Sequence, residues 1–224
     1  SLKGETETAL AQFKGKTRGH LVVGGSTIPG GYILPLIIGS FMKSYPEVTV
    51  ALEIGDTEEI VKAILEGAIE IGLVGARSND RHLIQEQVIE DSMCLVIYPD
   101  HPWKDRSSVS ISMLAGEPFI ARESGSGTLK SLGESLQKAG VDPGALKIVA
   151  TMGNTAAVRQ GVKSGIGVSI LSTKAVEDDL KNGSLLALSI EGVDLSRHFY
   201  LTVHKSRALS PLCSSFADFI RKAG

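Results

Sequence analysis

HLVVGGSTIPGGYILPLIIGSFMKSYPEVTVALEIGDTEEIVKAILEGAIEIGLVG, residues 20–75, is the stretch that decides the fold. It opens on the apolar run His20-Leu21-Val22-Val23 and passes through GGSTIPGG, residues 24–31. The following segment sets Leu34, Ile37, Ile38, Phe41 and Tyr45 at helical spacing, one apolar stripe suited to lie on a sheet. VTVALEI, residues 48–54, alternates as a strand does. Asp56 then stands as N-cap of a helix, with Glu59 in the capping-box position and Gly67 at the stop. EIGLVG, residues 70–75, is a buried strand. Strands and helices in this alternation demand parallel pairing with helices on the faces.

GGSTIPGG has a counterpart about a hundred residues later: ESGSGT, residues 123–128, after Pro118-Phe119-Ile120-Ala121. Each loop joins an apolar strand to a helix. Each aims N–H groups and small hydroxyls at one point beside the positive end of a helix, which is metal-free chemistry for an anion. Ordinary strand-to-helix turns share this composition, but two in matching context point to a ligand held between similar lobes.

Further along, residues 83–98 read as a long strand broken near Glu90-Asp91-Ser92, the pattern of a crossover between lobes. A second α/β set follows. Its strands fall at 118–121, 147–151 and 165–171, and its helices at 128–139, 154–164 and 173–181, stopped by Gly140, Gly165 and Gly183. Strand-like runs at 185–190 and 199–203 precede an amphipathic helix at 211–222, expected to pack on the first lobe. Residues 1–18 are polar, with a weak helical stretch at 5–13, and read as the end of a linker. The expected architecture is α/β, two Rossmann-like lobes joined by two crossover strands around one cleft.

Bulk properties narrow the class. The 224 residues are 42% hydrophobic and 21% charged with a net charge of −2, ordinary for a globular protein. Scattered basic residues offer no stripe for DNA, and no apolar run approaches the ~20 residues of a membrane span. The start lacks the apolar region of a signal peptide, which favours the cytoplasm. Cys94 and Cys213 read as small buried hydrophobes in a reducing compartment, and the five histidines show no metal-ligand spacing, so neither metal nor cofactor is expected. Nucleophile elbow, GxGxxG and Walker loop are missing, which argues against an enzyme.

The order and spacing of these strings closely resemble the effector-binding domain of LysR-type transcriptional regulators. Besides residues 24–75, the strings RESGSGT, MGNTAAVRQGVKSGIGVSILS and FYLTVHKSRALSPLCSSFADFI carry the likeness, which runs from about Gly19 to Ala223. It implies the type 2 periplasmic-binding-protein fold. Lobe I would comprise residues 19–91 and 198–224, and lobe II residues 92–197. It also implies a small-molecule effector in the cleft, a homodimer or homotetramer, and DNA contact only through an N-terminal helix-turn-helix domain outside this sequence. The rival of the same fold is a periplasmic solute-binding protein for a small anion.

By the same resemblance Ser26 and Thr27, with the N–H groups of Thr27 and Ile28, would hold a carboxylate or oxyanion. Pro29 cannot donate and shapes the loop. Ser124, Gly125, Ser126 and Thr128 would face them, with Ser124 the better contact and Thr128 a helix cap. Asn154 and Thr155 open a further helix whose start should face the cleft, either as contacts or as caps alone. Gly75 leaves only backbone where relatives often carry a polar or basic side chain. Asp56 is expected to cap its helix and point away; Arg122 and Arg159 could add a charge to the site but are expected in solvent. Few aromatics lie near these loops, so the expected effector is a small oxyanion or short carboxylate.

Overall fold

The computed structural model describes residues 18–223; the linker and its expected helix at 5–13 fall outside the described residues. Strand β1 (Gly19–Ser26) pairs in parallel with β2 (Val48–Gly55) on one side and β3 (Ile71–Val74) on the other. Helix α1 (Leu34–Ser44), entered through a π-helical turn at Pro29–Ile33, and helix α2 (Thr57–Glu66) make the crossovers. Asp56 and Glu59 form the reciprocal capping box, and Gly67 ends α2 at φ +82°.

Strand β4 (Leu83–Ile97) runs unbroken from one lobe into the other. Its first part pairs antiparallel with the later strand β10 (Ser196–His204), and Met93 to Ile97 pair with β8 (Ser169–Ser172) and β9 (Leu186–Ile190). The polar triplet is therefore no break. Glu90 and Ser92 face solvent, while Asp91 points inward, buried, into an ion pair with Arg197. An inward polar residue with a partner keeps the alternation and lets the strand continue. β10 is the second crossover, pairing with β3 and β4.

The second lobe begins with β5 (Ser108–Val109) and a six-residue helix, α3 (Ile111–Gly116), capped by Ser110. Parallel β6 (Phe119–Arg122) and β7 (Ile148–Met152) alternate with α4 (Gly127–Lys138) and α5 (Thr155–Lys163). α6 (Thr173–Asn182) leads from β8 to β9. The strand expected at 165–171 shortens to β8 with a bridge from Val168 to Phe119, because residues 165–167 complete the exit from α5: Gly165 takes φ +75° and the Ile166 N–H returns to the Gly161 carbonyl.

Helix α7 (Pro211–Lys222) closes on the first lobe, as its stripe requires. Phe216 and Phe219 meet Phe41 of α1 edge-on, with centroids 5.0 and 5.1 Å away. Full burial of such a side chain contributes roughly 1.5–3 kcal/mol, so α7 is fixed to this lobe by packing. Burial, seconded by nearby acids, pushes the Cys94 and Cys213 thiols up to about 12; they are free and packed as hydrophobes. Among the described residues no helix is long and apolar enough to cross a membrane, and no His, Cys, Asp and Glu group could hold a metal.

Candidate functional site

The first wall of the seam between the lobes is built at the carboxyl ends of β1 and β3. In parallel sheets this edge collects helix N-termini, and ligands bind there. Ser26 ends β1 and is buried; Thr27 and Ile28 open the turn into α1. No side chain caps that turn, so its leading N–H groups, Pro29 excepted, form an uncapped positive end largely buried at the seam. Gly75 follows β3, and a Cβ there would lie 3.4 Å from Ser26 Oγ. Thr57, first residue of α2, buries a hydroxyl that has no partner among the described residues.

The facing wall comes from ESGSGT. The Ser126 N–H bonds the Glu123 carbonyl at 3.1 Å, closing a turn whose corner is Ser124-Gly125. Ser124 therefore projects into solvent, beside a separate groove of about 220 Å³ shared with Val61, Leu65, Arg77 and Lys130. The cap of α4 is Ser126, whose Oγ accepts the Leu129 N–H at 3.4 Å. Thr128, expected to cap, sits one residue inside the helix, where its Oγ1 accepts from Arg197 at 3.2 Å. Asn154 is a cap too: its Oδ1 accepts the Ala157 N–H at 2.8 Å, and the residue is exposed, off the seam. Its neighbour Thr155 is the inward one.

Two arginines dominate the seam. Arg122, expected in solvent, is only 4% exposed. Its guanidinium pairs with Glu123, donates to Thr155 Oγ1 at 2.7 Å, and reaches Thr27 Oγ1 of the opposite lobe at 3.2 Å. Burial pulls Glu123 upward, but the Arg122 hydrogen bonds outweigh it and hold the carboxyl below its ordinary range. Arg197 comes from the crossover strand β10. Its Nε donates to Asp91 Oδ2 at 2.8 Å and its Nη1 to Thr128, while Nη2 is buried with no partner among the described residues. The second Asp91 oxygen is held by Ser172 at 2.7 Å. Burial lowers the Arg197 pKa and the Asp91 charge opposes that. Sequence reading passed over Arg197, although a signal existed: two opposite charges, Asp91 and Arg197, stand on the crossover stretches beside apolar runs. Arg159 is half-buried and not free in solvent: its Nε donates to Asp179 at 2.7 Å, and it also interacts with Tyr32 of the first lobe, outside the small cavity.

Together these walls enclose about 10 Å³, room for one water molecule. Of the expected contact residues, Ser26, Thr27, Ile28, Gly75, Ser126 and Thr128 line this cavity, and Ser124, Gly125 and Asn154 do not. The lobes meet closely beside it. A Cβ on Gly127 would fall 2.5 Å from Thr57 Oγ1, and one on Gly125 would fall 2.2 Å from Asp56 Oδ2. Asp56 thus caps α2 as expected but faces the other lobe instead of pointing away. A larger groove of about 440 Å³ lies on the far side of Arg197; it mixes Glu134 and Asp194 with Arg77 and Lys138 and holds none of the expected contact residues. The small cavity is the better candidate, because buried unpaired hydrogen-bonding groups and an uncapped helix start converge there.

A family model, described as the LysR substrate binding domain, matches residues 14–224. The chain belongs to that family. It is similar to the phosphonates import ATP-binding protein PhnC of Anaeromyxobacter dehalogenans, 33% identical over 91% of this chain and 41% of that protein. It is also similar to the HTH-type transcriptional activator CmpR of Synechocystis, 26% identical over 96% of this chain and 70% of the activator. The CcmR regulatory domain of Synechocystis, solved in complex with 2-PG, shares the fold at a TM-score of 0.82 and 24% identity, covering 92% of this chain and 97% of that one. This LysR domain therefore has the two-lobed type 2 periplasmic-binding fold. Its regulator relatives set it among effector-binding domains and not among enzymes.

Proposed function

We propose that this LysR domain senses a small anion in the seam between its lobes, which must part from the closed arrangement seen here to admit more than one water, and passes the signal to DNA through a helix-turn-helix domain of the whole regulator. The observation that carries the reading is Arg197, whose Nη2 is buried without a partner among the described residues and which lines the same cavity as the uncapped start of the first helix. A buried guanidinium N–H left unpaired costs roughly 1–3 kcal/mol, more for a charged group, and an anion's oxygen removes that cost. Ser26, Thr27, the Ile28 N–H, Ser126 and Thr128 complete the first coordination; Gly75 shapes the floor, Gly125 the contact between lobes. The CcmR domain holding 2-PG on the same fold supports a ligand here. Titration calorimetry with sulfate and short carboxylates tests it: the parent chain binds at least one, and Arg197→Gln binds none. Binding of cationic or uncharged aromatic ligands alone would overturn it.

The lobe limits we adopt are residues 19–91 with 198–224, and 92–197, so that β4 and β10 carry the hinge. An effector shifts the lobe angle only by its differential affinity for the two states. The domain also pairs with copies of itself, in the cytoplasm. β2 and β7 are unpaired sheet edges, and exposed Leu36, Met42 and Ile54 near one match Ile148 and Val149 on the other. Light scattering of Leu36→Glu against the parent tests the association. Similarity to PhnC favours one alternative, a sensor or receptor tied to anion transport; the codons upstream of this segment decide between them.

A further inference from the structure

We infer that the ligand is an anion with two heads: one in the seam cavity, and a second, on a short apolar spacer, in the adjoining groove of about 220 Å³. This rests on the anion reading above and names the chemical class of its ligand. Cavity and groove share a wall, because Thr57, Ser126 and Gly127 line both. That wall is itself a contact between lobes. Thr57 belongs to the first and Gly127 to the second, and a Cβ on Gly127 would fall 2.5 Å from Thr57 Oγ1. Parting the lobes to admit a ligand therefore opens one space into the other. Thr57 Oγ1, buried with no partner among the described residues, sits on the divide.

Beyond that divide the surface turns apolar and then basic. Thr57, Val61 and Leu65 recur every four residues along α2, so one helix face runs from the hydroxyl to two half-buried apolar side chains. The start of α4 forms the other side. Lys130 reaches from it across the seam and donates to the Arg77 carbonyl of the first lobe. Ser126 and Lys130 stand one turn apart, about 6 Å along the helix. Lys62, Arg77 and Lys130 share this end of the groove with the single carboxylate of Glu58. Lys62 leans on Glu66 at 3.8 Å, but no carboxylate among the described residues pairs with Arg77 or Lys130. Nearby, Asp56 is held by the Glu59 N–H in its cap. An ammonium whose acceptor is a neutral carbonyl gains by exchanging it for an ionised oxygen. A second anionic group, one helical turn from the first, fits that demand.

Calorimetry on the parent chain near neutral pH, where carboxyls are ionised, tests this with malonate, succinate, glutarate and adipate, each against its own monomethyl ester. The ester keeps the spacer and removes one charge. Succinate or a longer diacid should bind about tenfold more tightly than its ester, while malonate, too short to leave the cavity, should not. Lys130→Met, at an exposed position, should erase the advantage. If it weakened acid and ester alike, Lys130 would only tie the lobes together, and the inference would fall. Diacids within about twofold of their esters, the margin of offering two identical heads, would also overturn it. Should that weak binding still vanish in Arg197→Gln, the anion site stands. Binding of no acid, no ester and no sulfate would remove both.

Discussion

GGSTIPGG enters its helix with no side chain folded over the first turn, whereas ESGSGT closes its own turn with Ser126 and presses Gly125 and Gly127 against the opposite lobe. Both join a strand to a helix with nearly the same residues. The first leaves its N–H groups to whatever enters the seam. The second has spent its cap on itself and works as a contact surface that governs how far the lobes close. A helix start binds an anion only while its first N–H groups lack a side-chain acceptor, so matching composition does not mean matching roles.

The largest effect is expected at the arginine that serves both loops. Arg197→Gln leaves Asp91 buried without its ion pair, and breaking such a pair costs roughly 3–5 kcal/mol. Urea unfolding should show that loss, together with loss of anion binding. Arg197→Gln combined with Asp91→Asn removes the stranded charge, so stability recovers substantially while binding stays lost. If binding returned in the double variant, the guanidinium would not be the anion's partner.

Next in size is a test of closure. Gly127→Ala drives a Cβ to 2.5 Å from Thr57 Oγ1 and to 2.9 Å from the Gly75 backbone, and Gly125→Ala drives one to 2.2 Å from the Asp56 carboxylate. Against the Gly75 backbone the first does not fit without lobe separation, and the second must displace the Asp56 carboxylate from its cap or part the lobes. X-ray scattering should therefore report a larger radius, most for Gly127→Ala, and calorimetry a loss of affinity. Gly31→Ala, in the first loop, meets nothing within 4 Å and should change neither. Unchanged scattering in both second-loop variants would show that those glycines do not limit closure.

Hydroxyls separate the loops at smaller amplitude. Ser26→Ala should weaken anion binding about tenfold, the loss of one hydrogen bond to a charge, with stability kept. Ser126→Ala should do both, since losing an N-cap costs about 1 kcal/mol. Ser124→Ala should do neither, because the turn puts that side chain in solvent.

What the sequence disclosed and what it hid divide along physical lines. Helical spacing in residues 34–45, the Asp56/Glu59 box and the glycine stops were readable, since periodicity and capping are local. So were the two-lobed order and the stripe of α7. Arg122 and Arg197 were not, because a buried arginine and a solvated one look alike until a partner from another strand is placed beside it. Asp91 is 106 positions from Arg197, and Arg122 lies 95 from Thr27. Roles within ESGSGT were lost for a smaller reason: which of Ser124, Ser126 and Thr128 caps depends on where the helix begins, and a shift of one residue exchanges cap and contact. Helix α3, six residues with one turn of pattern, was too short to register.

The smallest effect separates the loops by acid. Among the described residues no carboxylate pairs with the first loop, whereas Glu123 opens the second and is held below the ordinary carboxyl range by Arg122 against the pull of burial. A carboxyl whose folded pKa is depressed adds stability that is fully present above its unfolded value, about 4.3 for glutamate. That stability is lost as pH falls through the lower folded value. Glu123→Gln should therefore be less stable than the parent near neutrality, with the gap closing as pH drops below about 4, measured as urea midpoints on a common scale. The gap should be small, because Glu123 keeps partial contact with water. A gap that persisted unchanged into acid would mean that Arg122 is held by Thr155 and Thr27 alone, and that the second loop owes its shape to hydroxyls, as the first does.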